Sequence, residues 1–176
     1  MSQDKIIVYT ARAMSGRKKS LVVCESQRDY FFLHDVCGFT VLDPVQAEGV
    51  KATPGNLQAS KKQMNSYWPR DKQMIRQAHV FMDMTPHLKS QGVEREGGYA
   101  RYNLWKGVVR VFPRGQKPHP ANVCYFEDDV IVDSLGEAAI EIQRRWGTRR
   151  KRIIWRFKML NRCLLKWFKY QLLEWK

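Results

Sequence analysis

The chain has 176 residues, of which 44% are hydrophobic and 12% aromatic, and its formal net charge is +14. This length and composition predict one globular domain with a substantial core and exclude a disordered chain. No apolar run reaches the ~18 residues of a membrane span, and the N-terminus lacks the apolar segment of a signal peptide. The four cysteines have no metal-binding spacing. We therefore expect a cytoplasmic protein with reduced thiols.

The positive charge is concentrated near the C-terminus. Residues 144–176 contain twelve Lys or Arg residues and one acid, which gives +11, whereas residues 1–143 contain 19 Lys or Arg residues and 16 acids, which gives +3. The basic character therefore belongs to an appendage. We predict a domain over 1–146 followed by a basic helical tail over 147–176.

Short apolar runs alternate along the chain with amphipathic segments. The predicted strands are 5–9, 39–42, 79–83, 108–112 and short candidates at 123–126 and 130–132, and the predicted helices are 20–37, 69–78, 93–106 and 134–146. Residues 45–67 have little apolar pattern and indicate a long loop. The alternation predicts an α/β fold, a flavodoxin-like or Rossmann-like doubly wound parallel sheet of about five strands in the order 2-1-3-4-5.

That strand order places the ends of the first and third strands side by side, where open α/β sheets bind ligands. The loop after the first strand carries Arg12 and Arg17, which are either solvated surface groups or ligands for a planar oxyanion. The third strand ends at Asp83, and Ser90 and Gly92 open a helix that carries Glu96. The start of such a helix can bind an anion. Glu96 either complements the helix dipole or takes part in chemistry.

The same segment carries a family resemblance. Ser90-x-Gly92-Val-x-x-Glu96-x-Gly98-x-Ala100 resembles the active-site signature of the nucleoside 2-deoxyribosyltransferase superfamily, which includes the 2′-deoxynucleoside 5′-phosphate N-hydrolases. Residues 8–17, 38–44 and 70–78 resemble the family's first strand and loop, its second strand, and the helix before its third strand. The four matches follow the family order, and the chain is also similar to phage-borne relatives.

The resemblance implies roles for particular residues. Glu96 would be the nucleophile at the sugar C1′, favoured over Glu94, which points to another helix face. Asp83 would be the assisting acid or a sugar or base contact, and Tyr9 would orient the nucleophile. The residues implied in substrate binding are Arg12, Ser15, Gly16, Arg17, Ser90 and Gly92. His79 stands where the family usually has Asp, and we predict that it packs as a structural histidine.

Ser90 indicates the substrate. Family transferases usually have Asp at this position, whereas the nucleotide hydrolases have Ser, which can donate to a 5′-phosphate; Ser90 can also serve as an N-cap. The implied function is hydrolysis of the N-glycosidic bond of a (deoxy)nucleoside 5′-monophosphate, without cofactor or metal, in a homodimer or larger homo-oligomer. The alternatives are base exchange by a nucleoside 2-deoxyribosyltransferase and a non-catalytic protein that binds nucleotides or nucleic acid.

The tail predicts a long helix over 149–175. Ile153, Phe157, Leu160 and Leu164 line one side of it, and most of its cations line the other. Three interpretations stay open at this point: packing on the body or on a second subunit, contact with an anionic membrane surface, and contact with nucleic-acid phosphates.

Overall fold

The computed structural model describes residues 5–51, 53–58, 61–113, 115–116 and 129–174, with backbone only for 61–65, 163 and 166–174. The strands are β1 (Ile7–Ala11), β2 (Thr40–Leu42), β3 (Val80–Asp83), β4 (Gly107–Val111) and β5 (Val130–Val132). The helices are α1 (Lys19–Phe31), α2 (Pro44–Ala47), α3 (Lys61–Gln77), α4 (Gln91–Gly98), α5 (Leu135–Trp146) and α6 (Arg149–Glu174). Two wider π-helical turns, Phe32–Val36 and Tyr99–Asn103, extend α1 and α4. The predicted strand at 123–126 lies outside the described residues.

The five strands form one parallel sheet in the order β2-β1-β3-β4-β5. The predicted fold class and strand order are therefore confirmed. The connections from β1 to β2, from β2 to β3 and from β3 to β4 each contain at least one helix. Between β4 and β5, residues 114 and 117–128 are not described. The order reverses between β1 and β3, which makes their carboxyl ends the switch point.

Alternate strand residues pack against helices on opposite faces of the sheet. On one face, Val8 and Met82 join a core that includes Ile142 and Trp146 of α5. On the other face, Tyr9 and Phe81 join a core with side chains from α3 and α4. Both faces are buried, which is why the strands show continuous apolar runs.

The segment before β3 differs from the prediction. Its helix begins at Lys61, so Pro69 lies inside α3 and not at its start, and the predicted loop over 45–67 is shortened by α2 and α3. An interior proline usually costs a helix ~3 kcal/mol. Here contacts around Pro69 favour the helix: Trp68 meets Tyr99 edge-on at 5.6 Å and Arg95 lies 4.2 Å above the Trp68 ring.

The long C-terminal helix packs on α5, but not through the apolar side that the sequence indicates. Trp155 meets Trp146 edge-on at 5.1 Å, and Met159 is buried. Ile153, Phe157 and Leu164 are exposed instead. Among the described residues, no helix combines the length and the apolar character needed to cross a bilayer.

Candidate active site

The loops that follow β1 and β3 meet at the carboxyl edge of the sheet. Ala11 pairs with Asp83 in the sheet register, and the Met84 amide donates to the Ala11 carbonyl at 2.8 Å. Beyond the strands, the Ala13 amide donates to Thr85 Oγ1 at 2.7 Å. The structure therefore brings together the two segments on which the sequence places the candidate site.

Asp83 is held rigidly at the end of β3. The residue is 1% exposed. Its Oδ1 accepts a hydrogen bond from the Thr85 amide at 3.0 Å, and its Oδ2 accepts one from Arg110 Nη1 at 2.7 Å. Burial raises the pKa of Asp83 to about 6, although the Arg110 charge opposes that rise. A carboxyl group with this pKa can exchange a proton near neutral pH.

Arg110 connects Asp83 to a further acid. Its Nε donates to Asp129 Oδ2 at 2.5 Å, and Arg101 also pairs with Asp129. The three side chains and Asp83 form a buried row of alternating charges, in which each charge has an opposite neighbour. Such pairing is what makes buried charges tolerable. Asp83 is therefore positioned by residues from β4, the segment before β5, and the π-helical turn after α4.

Glu96 lies on α4 among residues of α3 and β1. The residue is partly exposed, and burial of its side chain raises the pKa of Glu96 to about 8. The negative charge of Asp71 adds to this rise, as do Asp83 and Glu48 more weakly, and the Tyr9 hydroxyl opposes it. Asp83 and Glu96 are thus close enough to influence each other electrostatically.

Tyr9 supports Glu96 from the centre of β1. Its ring is fully buried and stacks on Phe81 with centroids 5.6 Å apart. Its hydroxyl lies near Glu96, but no hydrogen bond of ordinary geometry joins them, so this buried oxygen has no partner among the described residues. Burial and the charges of Glu96 and Asp71 raise the pKa of Tyr9 well above its usual value, so Tyr9 keeps its proton.

An ion-pair cluster borders Glu96 on the α3 side. Arg70 Nη2 donates to Glu48 Oε1 at 2.6 Å and to Asp71 Oδ1 at 2.8 Å. Burial raises the pKa of both acids, and Arg70 opposes that rise. One cation therefore faces several acids, which favours a bound proton on one of them.

No family model matches the sequence, and no curated protein matches it. A 2-deoxyribosyltransferase from Bacillus psychrosaccharolyticus superposes with a TM-score of 0.55 at 17% identity, over 76% of this chain and 90% of that one. The chain shares the fold of a 2-deoxyribosyltransferase. The family resemblance stated from the sequence is thereby confirmed at the level of the fold.

Two further solved structures are similar. A conserved protein from Enterococcus faecalis V583 superposes with a TM-score of 0.51 at 12% identity, over 80% of this chain and 99% of that one. A CMP N-glycosidase from Clostridium botulinum gives a TM-score of 0.46 at 14% identity, over 78% of this chain and 98% of that one. At 12% identity, the similarity to the Enterococcus protein concerns the fold alone.

The two arginines predicted to bind substrate are already engaged by acids. Arg12 is 6% exposed, and its Nη1 and Nη2 donate to Asp29 and Asp43, each at 3.2 Å. Arg17 is partly exposed, and its Nη2 donates to Glu25 at 2.7 Å. Arg12 therefore connects the loop after β1 to Asp29 and Asp43 through buried ion pairs, and Arg17 is the more exposed of the two arginines. Their roles in binding an anion stay predictions.

The other predicted binding residues lie at the surface of the same edge. Ser15 and Gly16 are exposed, and Gly16 has a φ of 78°, a conformation that favours glycine. Ser90 is the N-cap of α4, and its Oγ accepts a hydrogen bond from the Val93 amide at 3.4 Å. Gly92 is exposed in the first helical turn.

His87, in the loop after β3, lies near Arg17 of the loop after β1. Burial lowers the pKa of His87, and the positive charge of Arg17 lowers it further, so the segment that leads to Ser90 lies near Arg17. The His87 Nδ1 atom is buried and has no partner among the described residues. Here a neutral histidine can donate to or accept from a ligand. Sequence reasoning did not single it out as a site residue.

Sequence reasoning also missed Asp71, Glu48, Arg110 and Asp129. Arg110 gave one signal, because a charged residue inside the apolar strand Gly107–Val111 must find a buried partner. The acids gave none, since nothing local to them indicates which element they face. The predicted structural role of His79 is supported, because its Nδ1 accepts a hydrogen bond from the Ile7 amide at 3.0 Å. Within the described residues, no group of His, Cys, Asp and Glu side chains could hold a metal ion.

Proposed function

We propose that this protein hydrolyses the N-glycosidic bond of a (deoxy)nucleoside 5′-monophosphate with Glu96 as the nucleophile. The observation that carries the proposal is the Glu96 carboxyl group, which lies beside Tyr9 and Asp71 near the switch point of the sheet. The fold shared with a 2-deoxyribosyltransferase used in nucleoside synthesis supports a nucleoside or nucleotide as the substrate.

The reaction would proceed in two displacements. Because the pKa of Glu96 is about 8, Glu96 would first pass its proton to a neighbouring carboxylate. The Glu96 carboxylate then attacks C1′, the C1′–N bond breaks with its electron pair leaving on the base, and the base takes a proton from an acid. Water then attacks C1′ of the glycosyl-enzyme, and its proton returns to a nearby carboxylate as Glu96 is released. Tyr9 orients the nucleophile through its neutral hydroxyl.

Two acids compete for the role of proton donor. Asp83 has a pKa of about 6, but both of its oxygens accept hydrogen bonds from Thr85 and Arg110. The charge of Asp71 affects Glu96 more strongly than the charge of Asp83 does, and burial raises the pKa of Asp71 as well. We propose Asp83 as the assisting acid in the reaction. Asp71 is the second candidate for the group that contacts the leaving base.

The 5′-phosphate would lie between the start of α4 and the loop after β1. Ser90 uses its oxygen lone pair for capping, which leaves its hydroxyl proton for a phosphate oxygen. The first amides of α4 point out of the helix and favour an anion. Arg17, Ser15 and the backbone of Gly16 would complete this site. A carboxylate at position 90 would repel the phosphate, so Ser90→Asp should shift preference from nucleotides to nucleosides.

Incubation with a panel of deoxy- and ribonucleoside 5′-monophosphates, followed by chromatography of free base and sugar phosphate, tests the proposal. Glu96→Gln should lower the rate of base release by about a thousandfold or more, as expected for loss of a nucleophile. Glu94→Gln, two residues away on the same helix, is the matched control and should stay within a few fold of wild type.

Two outcomes would favour the rival functions. Added free base that appears in a new nucleoside would indicate transfer in place of hydrolysis. Retained nucleotide binding by calorimetry, with no base release from any substrate in the panel, would indicate a non-catalytic binding protein and contradict the proposal.

A further inference from the structure

The packed side of α6 is defined by three residues. Arg152, Trp155 and Met159 are partly or fully buried against the rest of the molecule, with Trp155 against Trp146 and Arg152 Nη1 donating to the Trp146 carbonyl at 3.2 Å. These positions fall on one side of a helix that turns about 100° per residue. The opposite side of α6 therefore faces away from α5.

That opposite side is apolar and exposed. Ile154, Phe157 and Leu165 are 57%, 63% and 64% exposed, and Ile153 and Leu164 are also exposed. At about 100° per residue, all five lie within roughly one third of the helix circumference. We call these five residues the apolar face of α6. Single exposed apolar residues are ordinary, whereas a contiguous set of this kind marks an interaction surface.

Cations border the apolar face. Between residues 149 and 165 the sequence has seven Lys or Arg residues and no Asp or Glu. Arg149, Arg150, Lys151, Arg156 and Lys158 are exposed. An occupant of this surface must therefore accept large apolar side chains in the middle and supply negative charge at the edges.

We propose that the apolar face of α6 lies on an anionic lipid membrane surface. An interfacial helix buries its apolar side at the boundary between headgroups and acyl chains while its basic residues meet anionic headgroups. Both requirements of the surface are met by this one partner. The helix would lie along the membrane surface.

Charge argues against the two other occupants. If a second copy paired its own apolar face with this one, the bordering cations of both helices would face each other without acids between them. Nucleic acid would attract the cations, but its phosphates offer nothing to Ile154, Phe157 and Leu165.

Sedimentation of the full-length protein with lipid vesicles tests the proposal. We expect binding to vesicles of phosphatidylglycerol and phosphatidylcholine in equal parts, and at least about tenfold weaker binding to phosphatidylcholine alone. The double variant Ile154→Gln/Phe157→Gln should lose about tenfold or more on the anionic vesicles. Arg150→Gln/Lys158→Gln should also bind more weakly and respond less to added salt.

The matched control is Leu21→Gln/Ile140→Gln, which removes two exposed apolar residues from α1 and α5. It should bind anionic vesicles as the wild type does, and far-ultraviolet circular dichroism checks that all variants stay folded. No proposed catalytic residue lies on α6, so base release should be unchanged in every variant.

Three results would overturn the proposal. The first is equal sedimentation of wild type and Ile154→Gln/Phe157→Gln on anionic vesicles. The second is a wild-type dimer, detected by light scattering, that this variant splits while vesicles stay unbound, which would assign the face to a second copy. The third is binding of single-stranded RNA, unaffected by the variant and without vesicle binding, which would assign the cations to nucleic acid.

Discussion

At the scale of single residues, the neighbours of a carboxyl group decide what it can do. Asp83 and Glu96 are the same functional group, but Asp83 is stabilised by Arg110 whereas Glu96 faces further acids. Their pKa values of about 6 and about 8 differ for that reason. Displaced pKa values of this kind are frequent at functional sites, where acid and base roles must coexist near neutral pH.

The raised pKa of Glu96 predicts how stability depends on pH. In the unfolded chain this carboxyl group ionises near 4.5, and in the folded protein near 8. Between these values the folded state holds a proton that the unfolded state has lost, so the free energy of unfolding falls as the pH rises through this range. Glu96→Gln removes this term and should become more stable relative to wild type by roughly 3–4 kcal/mol from about pH 5 to about pH 8.

Urea denaturation at several pH values measures this difference. Burial lowers the pKa of Lys106 to about 8, so Lys106 changes the free energy of unfolding only above about pH 8. That contribution is the same in wild type and Glu96→Gln. Glu94→Gln serves as the control. Parallel stability curves for wild type and Glu96→Gln would contradict the raised pKa of Glu96.

At the scale of elements, close approach between β4 and α5 depends on a missing side chain. A Cβ atom on Gly107 would lie 2.1 Å from Trp146 Cζ2, and Trp146 is fully buried. The indole therefore packs directly against the backbone of β4. This contact connects the end of α5, and through Trp155 the start of α6, to the central sheet.

Gly107→Ala should therefore lower the free energy of unfolding by about 1–3 kcal/mol, because the indole or the strand must shift. Gly98→Ala is the control, since nothing lies within 4 Å of its Cβ position and its backbone is helical. That change should be neutral or stabilise by roughly 0.4–1 kcal/mol. Similar stability of the two variants would show that Trp146 yields easily, and the close packing argued here would be wrong.

At the scale of the whole molecule, the charged helix and the nearly balanced body share a small apolar contact. Trp155 packs edge-on against Trp146, Arg152 donates to the Trp146 carbonyl and Met159 is buried, whereas most of the other described side chains of α6 are exposed. The predicted division at 146–147 places this contact between the domain and its tail. The tail would then add stability without being required for the fold.

A truncated chain of residues 1–147 should accordingly unfold cooperatively, with a free energy of unfolding lower by about 2–3 kcal/mol, because Trp146 loses its cover. Trp155→Ala in the full chain should reproduce much of this loss. Urea denaturation followed by circular dichroism measures both. A truncated chain without a cooperative transition would show that α6 belongs to the folding unit, and the division would be wrong.

The sequence by itself determined the five described strands and the capped start of α4, because hydrophobic periodicity and N-caps act locally. The alternation of strands and helices favoured the order 2-1-3-4-5, and the structure has that order. It also placed Asp83 and Glu96 at one edge, since the carboxyl ends of adjacent parallel strands must meet. Only the tertiary structure decided that Arg12 forms ion pairs with buried acids, that Asp71 lies close to Glu96, and which side of α6 is buried. Those contacts join residues distant in the chain, and desolvation and charge pairing depend on how finished elements pack.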